Sequence, residues 1–290
     1  MSFSSEDIKE LRDKSGAGMM DCKKALDESN GDIEKAIEWL RKKGINTAQK
    51  KSSRSASDGL VTVIIKDHYG CIIEVNAETD FVARNENFLS FCSDLALTCV
   101  ENKVENVDEL LGCKFLSTDQ SVQESLTSLI SKLGENIIVR KLKLFVNKGN
   151  NSLQKYIHNS INDNSGKIGV ILSYSTNEDS EEITEFSKNL CMHIAATDPK
   201  SISIDNLDKD LVEKEKVIYR EQLKSANKPD EIIEKIVDGK VNKFYEEVCL
   251  LEQFFVMDNK IKIKNYLDSF NKKSGLNFKI LDFEIYKLPQ

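Results

Sequence analysis

Two runs rich in valine and isoleucine, Leu60 to Lys66 and Cys71 to Ala77, are separated only by Asp67-His68-Tyr69-Gly70. A connection this short joins antiparallel strands, so residues 60–77 are committed to a hairpin. Its apolar face needs a cover, and the next segments supply one. Phe88, Phe91, Cys92, Leu95, Ala96 and Cys99 mark one face of a predicted helix. Val122, Leu126, Leu129, Ile130 and Leu133 mark another, closed by Gly134, and Ile137 to Val146 returns as a strand. The order then recurs. Leu153 to His158 and Lys167 to Tyr174 read as strands around a polar turn, and Ile183, Phe186, Leu190 and Ile194 as a helix. The closing strand is deferred to Phe278 to Tyr286. Two hairpin-plus-helix halves, each an antiparallel sheet covered by helices, make the fold class α+β.

Ahead of the hairpin lies a small helical unit. Ser4 and Asp7 have capping-box spacing, and Ser15-Gly16-Ala17-Gly18 breaks the pattern before a helix carrying Met19, Cys22, Ala25 and Leu26. Asn30-Gly31 ends that helix. Ile33, Ala36, Ile37 and Leu40 fall at i, i+3, i+4 and i+7, which predicts a third helix stopped at Gly44. Residues 46–58 are polar, basic and rich in serine, and read as a linker. Two charged helices, 207–227 and 229–250, interrupt the second half, with Pro229 in the first turn of the latter. The stripe Ile233, Ile236, Val237, Val241, Phe244, Tyr245 and Val248 packs on its own partner helix, serves as an interface, or does both. The expected domains are a three-helix unit at 1–45, a linker at 46–58 and a first core half at 59–147. A second half at 148–206 and 251–290 encloses a helical hairpin at 207–250.

Composition narrows the function. A net charge of -7 disfavours a nucleic-acid backbone as the main partner, so no direct nucleic-acid binding is expected. No apolar run approaches the roughly 18 residues that span a bilayer, and no signal peptide opens the chain, so a cytoplasmic protein is expected. Seven scattered cysteines without a Cys-x-x-Cys pair read as reduced core thiols. Nucleophile elbow, phosphate loop, dinucleotide fingerprint and His-Glu-x-x-His are all missing, and no cofactor or metal is expected. An enzyme with its own active site is the less supported class.

Binding is the better supported one. Glu78-Thr79-Asp80-Phe81-Val82-Ala83-Arg84-Asn85 comes directly after the second strand, placing an acid, an aromatic and a base at a strand-to-helix corner. The residues also admit plainer roles. Phe81 serves equally as a staple against its own helix, Asp80 as a helix cap, Met19 and Met20 as core, and His158 as a merely exposed strand end.

Several motifs, in order along nearly the whole chain, resemble the bacterial elongation factor Ts family. They are Ser15 to Leu26 with Asn30-Gly31-Asp32; Glu74 to Asn85; Lys132 to Ile137; Tyr156-Ile157-His158; Met192 to Ala196; Lys228-Pro229; and Leu250 to Gln253. The resemblance implies a UBA-like (ubiquitin-associated-type) amino-terminal domain, two core subdomains and a dimerisation-type hairpin. It implies guanine-nucleotide exchange on elongation factor Tu, in its GDP-bound and nucleotide-free states, without covalent chemistry. Thr79, Asp80, Phe81 and Val82 would dislodge Mg2+ from that partner, Phe81 by entering an apolar pocket and Asp80 by disturbing the metal's contacts. Met19, Met20, Arg84, Asn85, Ile137 and His158 would be further partner contacts, and a homodimer through the hairpin is a second association. Two positions depart from the family: Lys141 follows Arg140 where a second arginine is frequent, and Phe254 follows Gln253 where proline is common. The alternative is a protein-binding adaptor or chaperone built around the three-helix unit; a cysteine-dependent hydrolase is the enzymatic rival.

Overall fold

The computed structural model describes residues 3–116, 118–149, 151–178, 180–223 and 229–289. Helices and antiparallel strands are mixed as an α+β fold requires. Two compact units emerge: Met1–Phe145 with Asn159–Gly169 and Tyr286–Gln290, and Val146–His158 with Val170–Ile285. The amino-terminal helices belong to the same unit as the first half of the core.

In the first unit, α1 (Ser5–Ser15), α2 (Met19–Glu28) and α3 (Ile33–Lys51) bury Leu11, Cys22, Ala25, Leu26 and Ala36. The capping box at Ser4 forms: Asp7 N–H donates to Ser4 Oγ at 3.2 Å, and Ser4 N–H to the Asp7 carboxylate at 2.6 Å. Helix α3 does not stop at Gly44. A glycine inside a helix costs about 1 kcal/mol, but Gly44 is buried against Thr127 and Ser131, and Ala48 packs on the main core. Packing outweighs the propensity, so the expected linker is helical as far as Lys51. Its remainder is held too, because Arg54 and Ala56 lend their carbonyls to Asn136 (2.8 Å) and Arg140 (3.1 Å).

Strands β1 (Asp58–Lys66) and β2 (Tyr69–Ala77) pair with Lys66 opposite Tyr69, so the turn is Asp67 and His68 alone, and Tyr69 and Gly70, expected in the connection, are the first residues of β2. Gly59 must be glycine: its φ is +131°, and a Cβ there would lie 2.1 Å from the Val75 carbonyl oxygen. Helices α4 (Asp80–Ala83), α5 (Glu86–Asn102), α6 (Val107–Gly112) and α7 (Val122–Leu133) cover one face, and β3 (Ile138–Val146) extends the sheet beside β2. Leu60, Ile64, Ile73 and Val75 meet Phe88, Phe91, Leu95 and Leu126 in that core. Glu74 is a buried carboxylate, balanced by Lys141 at 3.2 Å and Arg140 at 3.7 Å. The Arg140-Lys141 pair thus serves this chain's own interior.

The second unit comprises β4 (Asn151–Ser160) as far as His158, β5 (Ser165–Ser175) from Val170, α8 (Glu181–Thr197), α9 (Lys209–Leu223), α10 (Asp230–Val248), β6 (Phe254–Phe255), β7 (Asp258–Lys262), α11 (Ile263–Ser274) and β8 (Lys279–Lys287) as far as Ile285. Strands β4 and β8 both pair with β5. Stacked rings fill its core, with Phe186 and Phe270 centroids 3.9 Å apart and Tyr174 and Phe278 4.6 Å apart. The β6–β7 hairpin and α11 have no counterpart among the sequence expectations. In the inserted hairpin, Val212, Val237, Val241 and Phe244 pack together, and Arg220 forms a forked pair with Glu234 at 2.8 and 2.9 Å. Pro229 caps α10 rather than entering its first turn, and Lys228 lies outside the described residues.

Candidate functional site

The corner between β2 and α5 is built so that one ring projects from a fixed base. Thr79 has extended backbone and caps α4, its hydroxyl accepting from Val82 N–H at 3.5 Å. Asp80 is therefore the first residue of the turn and not its cap. Val82 and Ala83 point into the main core, Val82 only 8% exposed, while Phe81 is 81% exposed. Helical geometry dictates this split, since residues adjacent in a helix face different ways. The staple role for Phe81 is excluded by its exposure. Arg84 lies on the surface with its Nε 3.9 Å from the Asp80 carboxylate, and Asn85 caps α5 by accepting from Asn87 N–H at 2.9 Å.

A second segment, Lys132 to Ile137, grips the corner from the side. The Glu135 carboxylate accepts both Thr79 N–H (3.0 Å) and the Thr79 hydroxyl (2.6 Å). In return, Glu78 accepts Asn136 N–H at 2.6 Å. Arg54 lies 3.6 Å from Glu78, and Lys51 Nζ donates to the Gly134 carbonyl, so the end of α3 joins the same junction. Ile137, expected at the partner surface, is 2% exposed, and its side chain, like that of Val82, lies in the core. Their apolar side chains hold the corner from behind and do not present it. Glu78, Glu135 and Asn136 acquire no role from sequence alone, although all stand inside the quoted motifs.

Met19 and Met20 open α2 with exposed side chains, so neither is core. His158 is exposed on β4, within the second unit, with Nδ1 3.1 Å from the Tyr156 hydroxyl. The other motif histidine is interior. His193 Nδ1 accepts Val256 N–H at 3.3 Å, which leaves the proton on Nε2 to donate to Gln253 Oε1 at 2.9 Å. Burial holds its pKa below the usual histidine value.

Burial pushes the Cys92 and Cys191 thiols well above their ordinary range, which leaves them protonated and poor nucleophiles. Among the described residues, no group of three His, Cys, Asp or Glu could hold a metal ion, and no helix is long and apolar enough to cross a membrane. What the corner can do is insert a ring.

Comparison with known proteins gives this corner a context. A family model described as Elongation factor TS matches residues 78–290, a span that opens on Glu78, the first residue of the corner. The chain is 44% identical over 283 residues to the elongation factor Ts of Clostridium botulinum (strain Eklund 17B / Type B), covering 97% of this chain and 91% of that protein. It is 43% identical over 287 residues to that of Rhodospirillum centenum, covering 98% and 92%. With the protein of Ehrlichia ruminantium (strain Welgevonden), identity is 41% over 280 residues and 96% of each chain.

Proposed function

The chain belongs to the elongation factor Ts family and is a translation elongation factor, and from that premise we propose how it works. It binds elongation factor Tu carrying GDP, dislodges the Mg2+ of that partner and promotes GDP release, so that GTP can enter. The chain supplies contacts and no active site of its own. Phe81 enters an apolar pocket of the GTPase, and Asp80 disturbs the groups that hold the metal. Mg2+ neutralises phosphate charge in such sites, and losing it weakens the hold on the nucleotide.

The observation that carries this reading is the exposure of Phe81 on a turn whose next two residues are buried. Burying a phenylalanine is worth roughly 1.5–3 kcal/mol, and rings that fill pockets are favoured anchors at interfaces. That much binding free energy can stabilise a distorted nucleotide site. Linkage makes the effect mutual: GDP must weaken the factor as much as the factor weakens GDP, typically by about 1–3 kcal/mol. Exposed Met19, Met20, Arg84 and His158 are further contacts in this proposal, the three-helix unit docking on the nucleotide domain of the GTPase. Val217, Ile218 and Ile232 leave apolar surface on the helical hairpin and favour self-association there.

The test is release of a fluorescent GDP analogue from the elongation factor Tu of the same organism. Acceleration by the full chain is expected. No acceleration by folded protein would reject exchange and promote the adaptor, whose binding would rest on the three-helix unit alone.

A further inference from the structure

We propose that Glu135 is a positioning residue for exchange: its carboxylate fixes the direction in which Thr79 presents the turn that carries Phe81. The proposal rests on the exchange function above and names a residue that acts through Thr79. Helix α4 has only four residues, Asp80–Ala83. So short a helix makes too few internal hydrogen bonds to hold itself, because nucleation is unfavourable. Its orientation must come from outside.

Part of that support is apolar, through Val82 and Ala83, and fixes the depth of the turn. The remainder is polar and directional. A hydroxyl has one proton and two acceptor lone pairs. Thr79 commits its proton to Glu135 Oε1 at 2.6 Å, so a lone pair is left for Val82 N–H. Glu135 Oε2 holds the Thr79 amide at 3.0 Å, which fixes the backbone entering the turn. The reciprocal bond from Asn136 N–H to Glu78 at 2.6 Å closes a ring of two carboxylates and two amides between β2 and the segment after α7. That ring is itself anchored, since the buried Asn136 amide donates to the Arg54 carbonyl at 2.8 Å. Bonds from neutral donors to a carboxylate are short and strong, and the two oxygens together allow only one orientation of Thr79. With the latch open, Phe81 would still be exposed and able to touch a partner, but its approach would vary.

The experiment titrates full-length protein against elongation factor Tu loaded with fluorescent GDP, separating the maximal release rate from the half-saturating concentration. Glu135→Ala should lower the maximal rate by roughly 10- to 100-fold, the scale on which small misplacements act, with little change in half-saturation. Thr79→Val loses the hydroxyl bond but keeps the amide bond, so it should lower the rate by less, and the double variant should fall no lower than Glu135→Ala alone, because both act on one latch. Thr79→Ser keeps hydroxyl and amide and should recover most of the rate that Thr79→Val loses. Glu135→Gln should fall between, as its amide oxygen still accepts one Thr79 donor. Circular dichroism establishes that each variant is folded; if Glu135→Ala is not, Thr79→Val against Thr79→Ser decides. A wild-type maximal rate in folded Glu135→Ala or Thr79→Val overturns the proposal, and so does a loss seen only as weaker half-saturation. Either result leaves exchange itself standing. Failure of the wild-type chain to release GDP removes both.

Discussion

Phe81 in the corner and Phe244 in the helical hairpin are the same side chain put to opposite uses. Phe244 is 9% exposed and packs with Val212, Val237 and Val241, so its burial holds α9 to α10. Phe81 is 81% exposed and holds nothing; Val82, Ala83 and the Glu78–Glu135 latch hold it. The hairpin also exposes Val217, Ile218 and Ile232, but on long helices that carry their own core. Exposed apolar residues are common on folded proteins and mean little singly. What sets Phe81 apart is that its surroundings are organised to keep it outside.

The contrast meets its severest test at Phe244. Phe244→Ala should cost about 3–5 kcal/mol of stability, the usual range for emptying an aromatic site, measured by denaturant unfolding. A cost below about 1 kcal/mol would mean the hairpin does not depend on its stripe, and the contrast would fail.

A smaller effect separates the regions by pH. His193 stands at the foot of the hairpin, where its partner Gln253 also donates to the Glu247 carbonyl at 2.7 Å. Burial favours its neutral form, so its pKa in the fold is below that of the unfolded chain. The unfolded state therefore binds the extra proton first. Stability is full above the unfolded value, about 6.5, and declines as pH falls below it toward the folded pKa, by no more than about 1.4 kcal/mol per pH unit. His193→Gln should flatten that part of the stability profile. An unchanged slope would assign the titration elsewhere.

The smallest effect belongs to the hairpin's outer face. Val217→Ser with Ile218→Ser should alter stability by less than about 0.5 kcal/mol and leave GDP release intact, while weakening self-association in sedimentation. Loss of exchange in this variant would show that exposed hairpin residues act as Phe81 does.

Periodicity makes most of this fold readable without coordinates: the existence of the β1–β2 hairpin, though not its register, the apolar face of α5 and the stripe of α10 are all legible in the sequence. Failures occur where distant packing decides. Gly44 reads locally as a stop, and only the contact with Thr127 and Ser131 carries α3 through it. Ile263, Tyr266, Leu267 and Phe270 do have helical spacing, so α11 is legible, although the charges between them obscure it. In the corner, motif membership singles out Val82 and Ile137 along with Phe81 but cannot tell inward from outward. Glu135 is harder still, because its meaning lies in Thr79, which is 56 positions away in the chain.

Phe81 serves the partner and not the fold, and Phe81→Ala tests this when stability and GDP release are measured on the same preparation. Unfolding should stay within about 0.5 kcal/mol of wild type, and release should slow by roughly 10- to 150-fold, the factor matching the 1.5–3 kcal/mol of a buried ring. Lowered stability with release unimpaired would contradict this, and would return Phe81 to the role that Phe244 plays.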